Sequence, residues 1–285
     1  MSGRKTPFIS NITTNGYNLD IDTFTALVKS NLLYYQVTLD GPEAIHNSLR
    51  PHADKNCNSY QTILKNLIDI QRSKLKHFNI TIRVNVSREL LKNIKEFMSI
   101  LKQHFAGDKR FSIIWHQIAD WGGLNDDAKQ LLTEDITDLS RQLNMMSYEY
   151  GLRPFVFKPK FNDVLCSACK KNAYIFNIDG TISKCVLCHD IVKDNQTPQN
   201  IANNIGYIQS NGTLFIDNTK EAKWTVRARL SEECRNCSIL PICLQAVCPN
   251  VRKFTDEERK CTADKSYYKS MLRQLFDDAK EVIIS

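Results

Sequence analysis

The sequence of 285 residues predicts an α/β fold in its first half and a small, cysteine-rich domain in its second half. Two observations support this division. In residues 1–150, strand-like segments and amphipathic helical segments alternate four times, which predicts parallel strands with helices packed outside them. From residue 151 onward this alternation stops, and nine of the ten cysteines lie between Cys166 and Cys261. We therefore expect two domains that are stabilised in different ways.

The predicted strands of the first half are short and rich in β-branched and aromatic residues. They cover residues 8–13, 34–39, 80–86 and 111–118. Three helices are predicted where apolar residues recur at helical spacing after a capping residue. The caps are Asp20 or Asp22, Ser59, and Ser87. A longer amphipathic helix is predicted over residues 128–150. In the second half, residues 174–184 predict a β-hairpin and residues 264–280 predict a C-terminal helix.

The third predicted strand has an unusual pattern of side chains. One face carries only apolar residues, namely Ile80, Ile82, Val84 and Val86. Because side chains alternate along a strand, Arg83 and Asn85 must share the opposite face. This pattern has two interpretations: an edge strand with one wet face, or the lumen of a barrel-type sheet in which polar groups at strand ends bind a ligand.

The cysteines follow a repeated spacing, with two C-x2-C pairs, then a C-x2-C-x5-C-x4-C run and one last cysteine. They are Cys166, Cys169, Cys185, Cys188, Cys234, Cys237, Cys243, Cys248 and Cys261. A C-x2-C turn directs two thiolates at one metal, and repeated pairs strengthen that signal. Disulfides are the weaker explanation, because residues 1–19 contain no apolar export segment and reduced cytoplasmic thiols favour metal ligation. We expect a cytoplasmic protein with more than one metal centre.

The distribution of charge and hydropathy argues against nucleic acid and membrane as partners. The net charge is +7, but the excess lies beside the cysteines, where it offsets the negative charge of bound thiolates. No basic run is interleaved with aromatic residues, which argues against nucleic acid. No run of about eighteen apolar residues is present, which argues against a membrane-spanning segment.

Several motifs resemble those of one known family. Gly180-x4-Cys185, followed by the C-x2-C-x5-C-x4-C run, resembles the SPASM domain of radical SAM enzymes, although one residue is inserted between Cys243 and Cys248. In the first half, ITTNGY at 12–17, VTLDGP at 37–42 and RVNVS at 83–87 resemble the third, fourth and fifth strand signatures of the radical SAM partial (β/α) barrel. The similarity is to the peptide- and protein-modifying branch, which includes anaerobic sulfatase-maturating enzymes and peptide maturases.

The resemblance implies an organisation for the whole chain. Residues 1–150 would be the C-terminal part of a radical SAM partial barrel, from the third strand onward. Residues 151–262 would be a SPASM domain with two auxiliary [4Fe-4S] clusters, and residues 263–285 a C-terminal helix. The implied first ligand set is Cys166, Cys169, Cys185 and Cys248. The implied second ligand set is Cys234, Cys237, Cys243 and Cys261. Cys188 is left over, as a spare thiol or as a replacement for Cys169.

The resemblance also implies contacts to S-adenosylmethionine (SAM) at the ends of consecutive strands. The implied contact residues are Asn15, Thr38, Asp40 and Arg83. Asn15 and Asp40 precede glycines and would serve a turn in any case. The expected substrate is a peptide or protein, and no catalytic side chain is assigned.

One departure from the family pattern limits this interpretation. Radical SAM enzymes hold their catalytic cluster with a C-x3-C-x2-C loop, and the only cysteine before Cys166 is Cys57. We therefore expect SAM to be used only if the missing N-terminal part is supplied, by a longer form of the chain or by a separate chain. Two alternatives stay open. The protein could be a non-catalytic, cluster-bearing subunit or remnant. It could also be a zinc-ribbon binding module, since Cys166 to Cys188 follow C-x2-C-x15-C-x2-C.

Overall fold

The computed structural model describes residues 8–54, 56–118, 136–155, 166–186, 203–225 and 232–243, together with 265, 268–269, 271–273 and 275–276. The chain divides into two compact units. The first comprises Met1–Phe157 and Gln274–Ser285, and the second comprises Lys158–Arg273. Within the described residues, no helix is both long and apolar enough to cross a membrane.

The first unit contains a four-stranded sheet with the order β1-β2-β3-β4, in which every neighbouring pair is parallel. The strands are β1 (Ser10–Thr14), β2 (Leu32–Thr38), β3 (Asn79–Val86) and β4 (Phe111–Gln117). The helices are α1 (Ile21–Lys29), α2 (Glu43–Leu49), α3 (Ser59–Arg72), α4 (Arg88–Lys92), α5 (Ile94–Phe105) and α6 (Ile136–Glu149). The predicted alternation of parallel strands and helices is confirmed.

The core of this unit lies between the helices and one face of the sheet. Ile80, Ile82 and Val84 of β3 are completely buried, together with Phe97 of α5 and Leu67 of α3. The opposite face of β3 is polar and only partly buried. Thr81 of this face hydrogen-bonds Ser112 of β4 at 3.0 Å. The predicted division of β3 into an apolar and a polar face is therefore confirmed.

The predicted helix starts are partly correct. Asp20 caps α1 by accepting from the backbone N–H groups of Asp22 and Thr23, and Ser87 caps α4. The prediction for Ser59 was wrong by one residue, because Asn58 is the cap and Ser59 is the first helical residue. The single helix expected after Ser87 is two helices, α4 and α5, which are separated at Asn93.

The second unit contains an antiparallel sheet with the order β5-β6-β7-β8. The strands are β5 (Ile175–Phe176), β6 (Thr181–Ser183), β7 (Asn204–Ile208) and β8 (Leu214–Ile216), and the helices are α7 (Asn218–Thr225) and α8 (Glu232–Arg235). β5 and β6 form the predicted hairpin. The hydrophobic cluster beside this sheet is small: it comprises Ala168, Ile182, Ile205 and Trp224, with partly buried neighbours.

Gly16 follows β1 in a conformation that only glycine adopts easily, with φ of +79°. A Cβ atom at this position would also lie 2.5 Å from Val37 Cγ1. Gly107 has a similar φ of +74°, but a Cβ atom there would meet nothing within 4 Å.

We expect Gly107→Ala to lower the free energy of unfolding by about 1 kcal/mol through backbone strain alone. Gly16→Ala adds a steric clash, and we expect about 2–4 kcal/mol. Urea unfolding of both variants measures the difference, and equal losses would contradict the packing argument.

Candidate functional site

Polar side chains of the first unit meet at the carboxyl edge of its parallel sheet, and Asp40 is their centre. Asp40 lies two residues after the end of β2 and is only 2% exposed. Its Oδ1 accepts from the backbone N–H of Asn85 at 2.8 Å and from Asn85 Nδ2 at 2.9 Å. Its Oδ2 accepts from Nε of Arg50. The carboxylate therefore joins the ends of β2 and β3 to the segment that follows α2. We call Asp40, His46, Arg50, Arg83 and Asn85 the carboxyl-edge network.

Arg83 is the member of this network whose terminal guanidinium nitrogens are not used within the described residues. Its Cα lies opposite that of Thr38 in the register of β2 and β3. Arg83 Nε donates to Asn85 Oδ1 at 3.2 Å, and its terminal nitrogens donate to none of the described residues. Burial lowers the pKa of Arg83, while the Asp40 carboxylate opposes that shift. A partly buried guanidinium with two unused terminal nitrogens can bind a carboxylate or hydroxyl group of a ligand.

His46 fixes the backbone of Asp40 through a buried hydrogen bond. Its ring is completely buried, and Nδ1 accepts from the backbone N–H of Asp40 at 3.1 Å. That bond assigns the proton of the neutral ring to Nε2, which has no partner within the described residues. Burial, opposed by the charge of Asp40 and assisted by that of Arg50, lowers the pKa of His46 to about 4. His46 is thus a neutral, positioning side chain.

The predicted SAM contacts differ in their surroundings. Asn15 is exposed beyond β1, and its Oδ1 accepts from the backbone N–H of Tyr17 at 3.1 Å. Thr38 is buried at the end of β2. The two oxygens of Asp40 already accept hydrogen bonds, so its geometry supports a positioning role. Arg83 is best placed to touch a ligand. All four contacts to SAM stay predictions.

Five of the six described cysteines of the second unit lie on two similar turns or at a strand end, and Cys243 follows the short 3-10 helix Leu240–Ile242. All are free thiols. Cys169 donates its backbone N–H to the carbonyl of Cys166 at 3.1 Å, and Cys237 donates in the same way to Cys234 at 3.1 Å. Each bond closes the C-x2-C segment into a turn. Cys185 follows β6 after Lys184.

The described thiols also divide between two hydrophobic clusters. Cys166 and Cys185 pack against the cluster that contains Trp224. Cys243 belongs to a separate cluster with Ile239 and Tyr268, and Cys237 packs against it. These four thiols lie in two separate clusters, and the two ligand sets stay predictions. Cys188, Cys248 and Cys261 lie outside the described residues.

Two buried polar residues that the sequence analysis missed fix the backbone around Cys185. Asn203 is 2% exposed. Its Oδ1 accepts from the backbone N–H groups of Lys184 and Cys185 at 3.1 and 2.8 Å, and its Nδ2 donates to the carbonyl of Cys185 at 2.9 Å. The Lys184 ammonium donates to the carbonyl of Lys170 at 2.7 Å and lies 3.5 Å from Glu221 Oε1.

The thiols fit a metal centre in their chemistry, since paired thiolates on turns are the usual ligands of iron–sulfur clusters and of zinc. Among the described residues, no three His, Cys, Asp or Glu side chains form a group that could hold a metal ion. Three cysteines of each predicted set are described, and neither trio forms such a group. The fourth cysteine of each set lies outside the described residues. The donor chemistry therefore fits thiolate ligation, and the arrangement does not choose between iron–sulfur and zinc.

Comparison with known proteins supports the fold. No protein-family model matches the sequence, and no curated protein matches it. One similar solved structure is that of anSMEcpe, a radical SAM sulfatase maturase, with bound AdoMet and Cp18Cys peptide. The two chains superpose with a TM-score of 0.57 at 16% sequence identity, over 96% of this chain and 75% of that chain. The likeness shows that this chain shares the fold of that structure.

The buried His46 predicts a specific pH dependence of stability. Its pKa is about 4 in the folded protein against an ordinary value of 6.5, so between these values the unfolded chain binds a proton that the folded protein does not. Protonation thus favours unfolding, and stability falls as the pH drops from 6.5 towards 4. From pH 7 to pH 5, we expect the free energy of unfolding of the wild type to fall by about 1–2 kcal/mol more than that of His46→Gln. Glutamine retains an acceptor for the Asp40 N–H.

Urea unfolding at the two pH values measures this difference. His77→Gln is the matched control, since His77 is exposed, and it should lose as much stability as the wild type. An unchanged pH dependence in His46→Gln would contradict the burial argument.

Proposed function

We propose that this chain is a radical SAM/SPASM-type iron–sulfur protein related to oxidoreductases that modify peptides or proteins. The observation that carries the proposal is the carboxyl-edge network, in which Asp40 positions Asn85 and leaves Arg83 with unused donors. Ligands of parallel α/β sheets bind at the carboxyl ends of the strands. The similarity of fold to anSMEcpe, which was solved with AdoMet and a peptide, supports SAM and a peptide as the ligands.

In this proposal, the first unit binds SAM. The Arg83 guanidinium contacts the carboxylate or a ribose hydroxyl of SAM, because it can donate two parallel hydrogen bonds to such oxygens. Thr38 and Asn15 contribute smaller polar contacts from the neighbouring strand ends. Asp40 holds Asn85 and Arg50 in place, and the neutral His46 fixes the backbone of Asp40. SAM and its cluster supply one-electron chemistry that removes a hydrogen from the substrate.

The second unit would hold two auxiliary [4Fe-4S] clusters. The first ligand set, Cys166, Cys169, Cys185 and Cys248, joins the first C-x2-C turn to the end of β6. The second ligand set, Cys234, Cys237, Cys243 and Cys261, surrounds the second turn. Two clusters would organise a domain that has a small hydrophobic core, because metal binding contributes folding free energy. The surrounding Lys and Arg residues offset the charge of the bound thiolates.

The 285 residues contain no C-x3-C-x2-C motif, and SAM cleavage of this type needs that cluster loop. We therefore assign SAM cleavage only to an assembly in which such a loop is present, on the same polypeptide or on a separate chain. These residues alone should be inactive. A non-catalytic, cluster-bearing subunit is the second candidate, and the same absent motif favours it.

Anaerobic purification and cluster reconstitution test the metal assignment. We expect a brown protein with broad absorbance at ~400 nm and about eight irons per chain, because each [4Fe-4S] cluster holds four. Iron, sulfide and zinc are counted on the same sample. A colourless protein that retains one or two zinc ions would overturn the proposal in favour of a zinc-ribbon module.

The role of Arg83 is tested by equilibrium dialysis with radiolabelled SAM on an assembly that supplies the cluster loop, because SAM use is assigned only to such an assembly. We expect saturable binding by the wild type and affinity about tenfold or more weaker in Arg83→Gln, since a charge-assisted hydrogen bond contributes about 1.5–3 kcal/mol. Arg72→Gln removes an exposed arginine from the last turn of α3 and should leave the affinity unchanged. Equal affinity in the wild type and Arg83→Gln, or no binding by the wild type, would contradict the assignment.

A further inference from the structure

We propose that Asn203 and Lys184 are positioning residues for the first auxiliary cluster. They fix the backbone at Cys185 and directly after Cys169 before metal binds. This inference rests on the proposed function, because it concerns the first ligand set. Neither residue contains a thiol, and neither belongs to the cysteine motif. Both are buried polar side chains whose hydrogen bonds go to the backbone of ligand cysteines or of their immediate neighbours.

The side chain of Asn203 takes the place of one more backbone pair between β6 and β7. The backbone pairing of these strands ends at Ser183 and Asn204, after a register shift between Ile182 and Ser183. Beyond that shift, the amide of Asn203 accepts from and donates to the backbone of Cys185, as a paired strand residue would do. The side chain thus extends the sheet to the ligand and fixes the backbone of Cys185.

The choice of asparagine follows from that double role. One side of its amide must accept from the N–H groups of Lys184 and Cys185, and the other must donate to the carbonyl of Cys185. Aspartate can accept but cannot donate. It would also place a carboxylate beside thiolates that carry negative charge when they bind metal. Asn203 therefore differs from a polar residue that only fills space.

Lys184 connects Cys185 to the first C-x2-C turn. Its ammonium is completely buried and donates to the carbonyl of Lys170, one residue after Cys169. Glu221 of α7 balances the charge of Lys184 at 3.5 Å and also accepts from the backbone N–H of Asn172 at 3.4 Å. These contacts tie the segment that follows the turn to the strand end that carries Cys185.

A purely structural role for this pair is the competing explanation. A buried ion pair is weak evidence for stability, because the cost of removing both charges from water offsets most of the attraction. The contacts here are instead concentrated on the backbone at or next to Cys185 and Cys169, two ligands of one predicted set. Ordering those segments in advance lowers the conformational entropy that cluster assembly must overcome. The two explanations differ in what a variant loses: one cluster, or the whole domain.

The experiment compares Asn203→Ala, Asn203→Asp and Asn204→Ala in the full chain after anaerobic reconstitution. Asn204 is the matched control, since it is the adjacent residue, is exposed, and among the described residues its side chain accepts only from the backbone N–H of Gly206. Iron and sulfide are counted, and iron release to a chelator is followed over time. We expect about eight irons in the wild type and Asn204→Ala, and about four in Asn203→Ala, because only the first cluster is lost.

Asn203→Asp keeps the side-chain volume and the two acceptor bonds, so it tests the donor without emptying the site. We expect it to release about half of its iron roughly tenfold faster than the wild type, while the other half leaves at the wild-type rate. Wild-type iron content and release in both Asn203 variants would overturn the inference. So would an equal loss of both clusters, which indicates a general folding role. If the reconstituted wild type contained no iron, that result would overturn both the proposed function and this inference.

Discussion

The buried carboxylate of Asp40 is the interaction on which the first unit's polar edge depends. A charge that is withdrawn from water is tolerated only when its oxygens are fully hydrogen-bonded. Asp40 meets this condition with one side chain and one backbone group from Asn85 and with the guanidinium of Arg50. Each of those donors is thereby held in one position. The end of β3 is consequently fixed relative to β2 at the edge where a ligand of a parallel sheet binds.

The two units use different sources of rigidity. In the first unit, a parallel sheet is covered by helices and a continuous apolar core fixes the strands. In the second unit, the apolar cluster around Trp224 is much smaller. A small core leaves more of the conformational entropy to be offset by other interactions. There, the side chains of Asn203, Lys184 and Glu221 hold the loops through their backbone groups, and bound metal would complete the stabilisation.

The alternation of strand-like and helical segments was sufficient to predict the parallel sheet, because such connections place consecutive strands parallel. Local periodicity was sufficient to predict the two faces of β3, since the alternation from Ile80 to Val86 depends only on which face is covered. It was also sufficient for the hairpin of β5 and β6, which is determined by neighbouring residues. The position of a cap was less secure: Asn58 and Ser59 are both good capping residues, and tertiary contacts of Ser59 with Asn47 and Arg50 decide between them. Propensity alone cannot distinguish two adjacent candidates.

The residues that escaped prediction have roles that depend on contacts distant in sequence. Asp40 meets Asn85 across 45 positions and Asn203 meets Cys185 across 18 positions. Sequence motifs located Asp40 and Cys185, but they did not predict which residues form hydrogen bonds with them. The contact of Asp40 with a ligand stays a prediction, and its hydrogen bonds also make it a support for Asn85 and Arg50. Asn203 carries no motif at all, because any asparagine before a strand looks the same until the register is known.

Both supports obey one physical rule. Asp40 accepts from the backbone of Asn85, and Asn203 exchanges hydrogen bonds with the backbone of Cys185, so each acts on the main chain next to the functional side chain. A backbone hydrogen bond restricts φ and ψ without occupying the donors or thiols that a ligand requires. Arg83 thus keeps its terminal nitrogens, and Cys185 keeps a side chain that can ligate metal. Fixing the backbone while leaving the reactive group available is how a site can be preorganised before its cofactor binds.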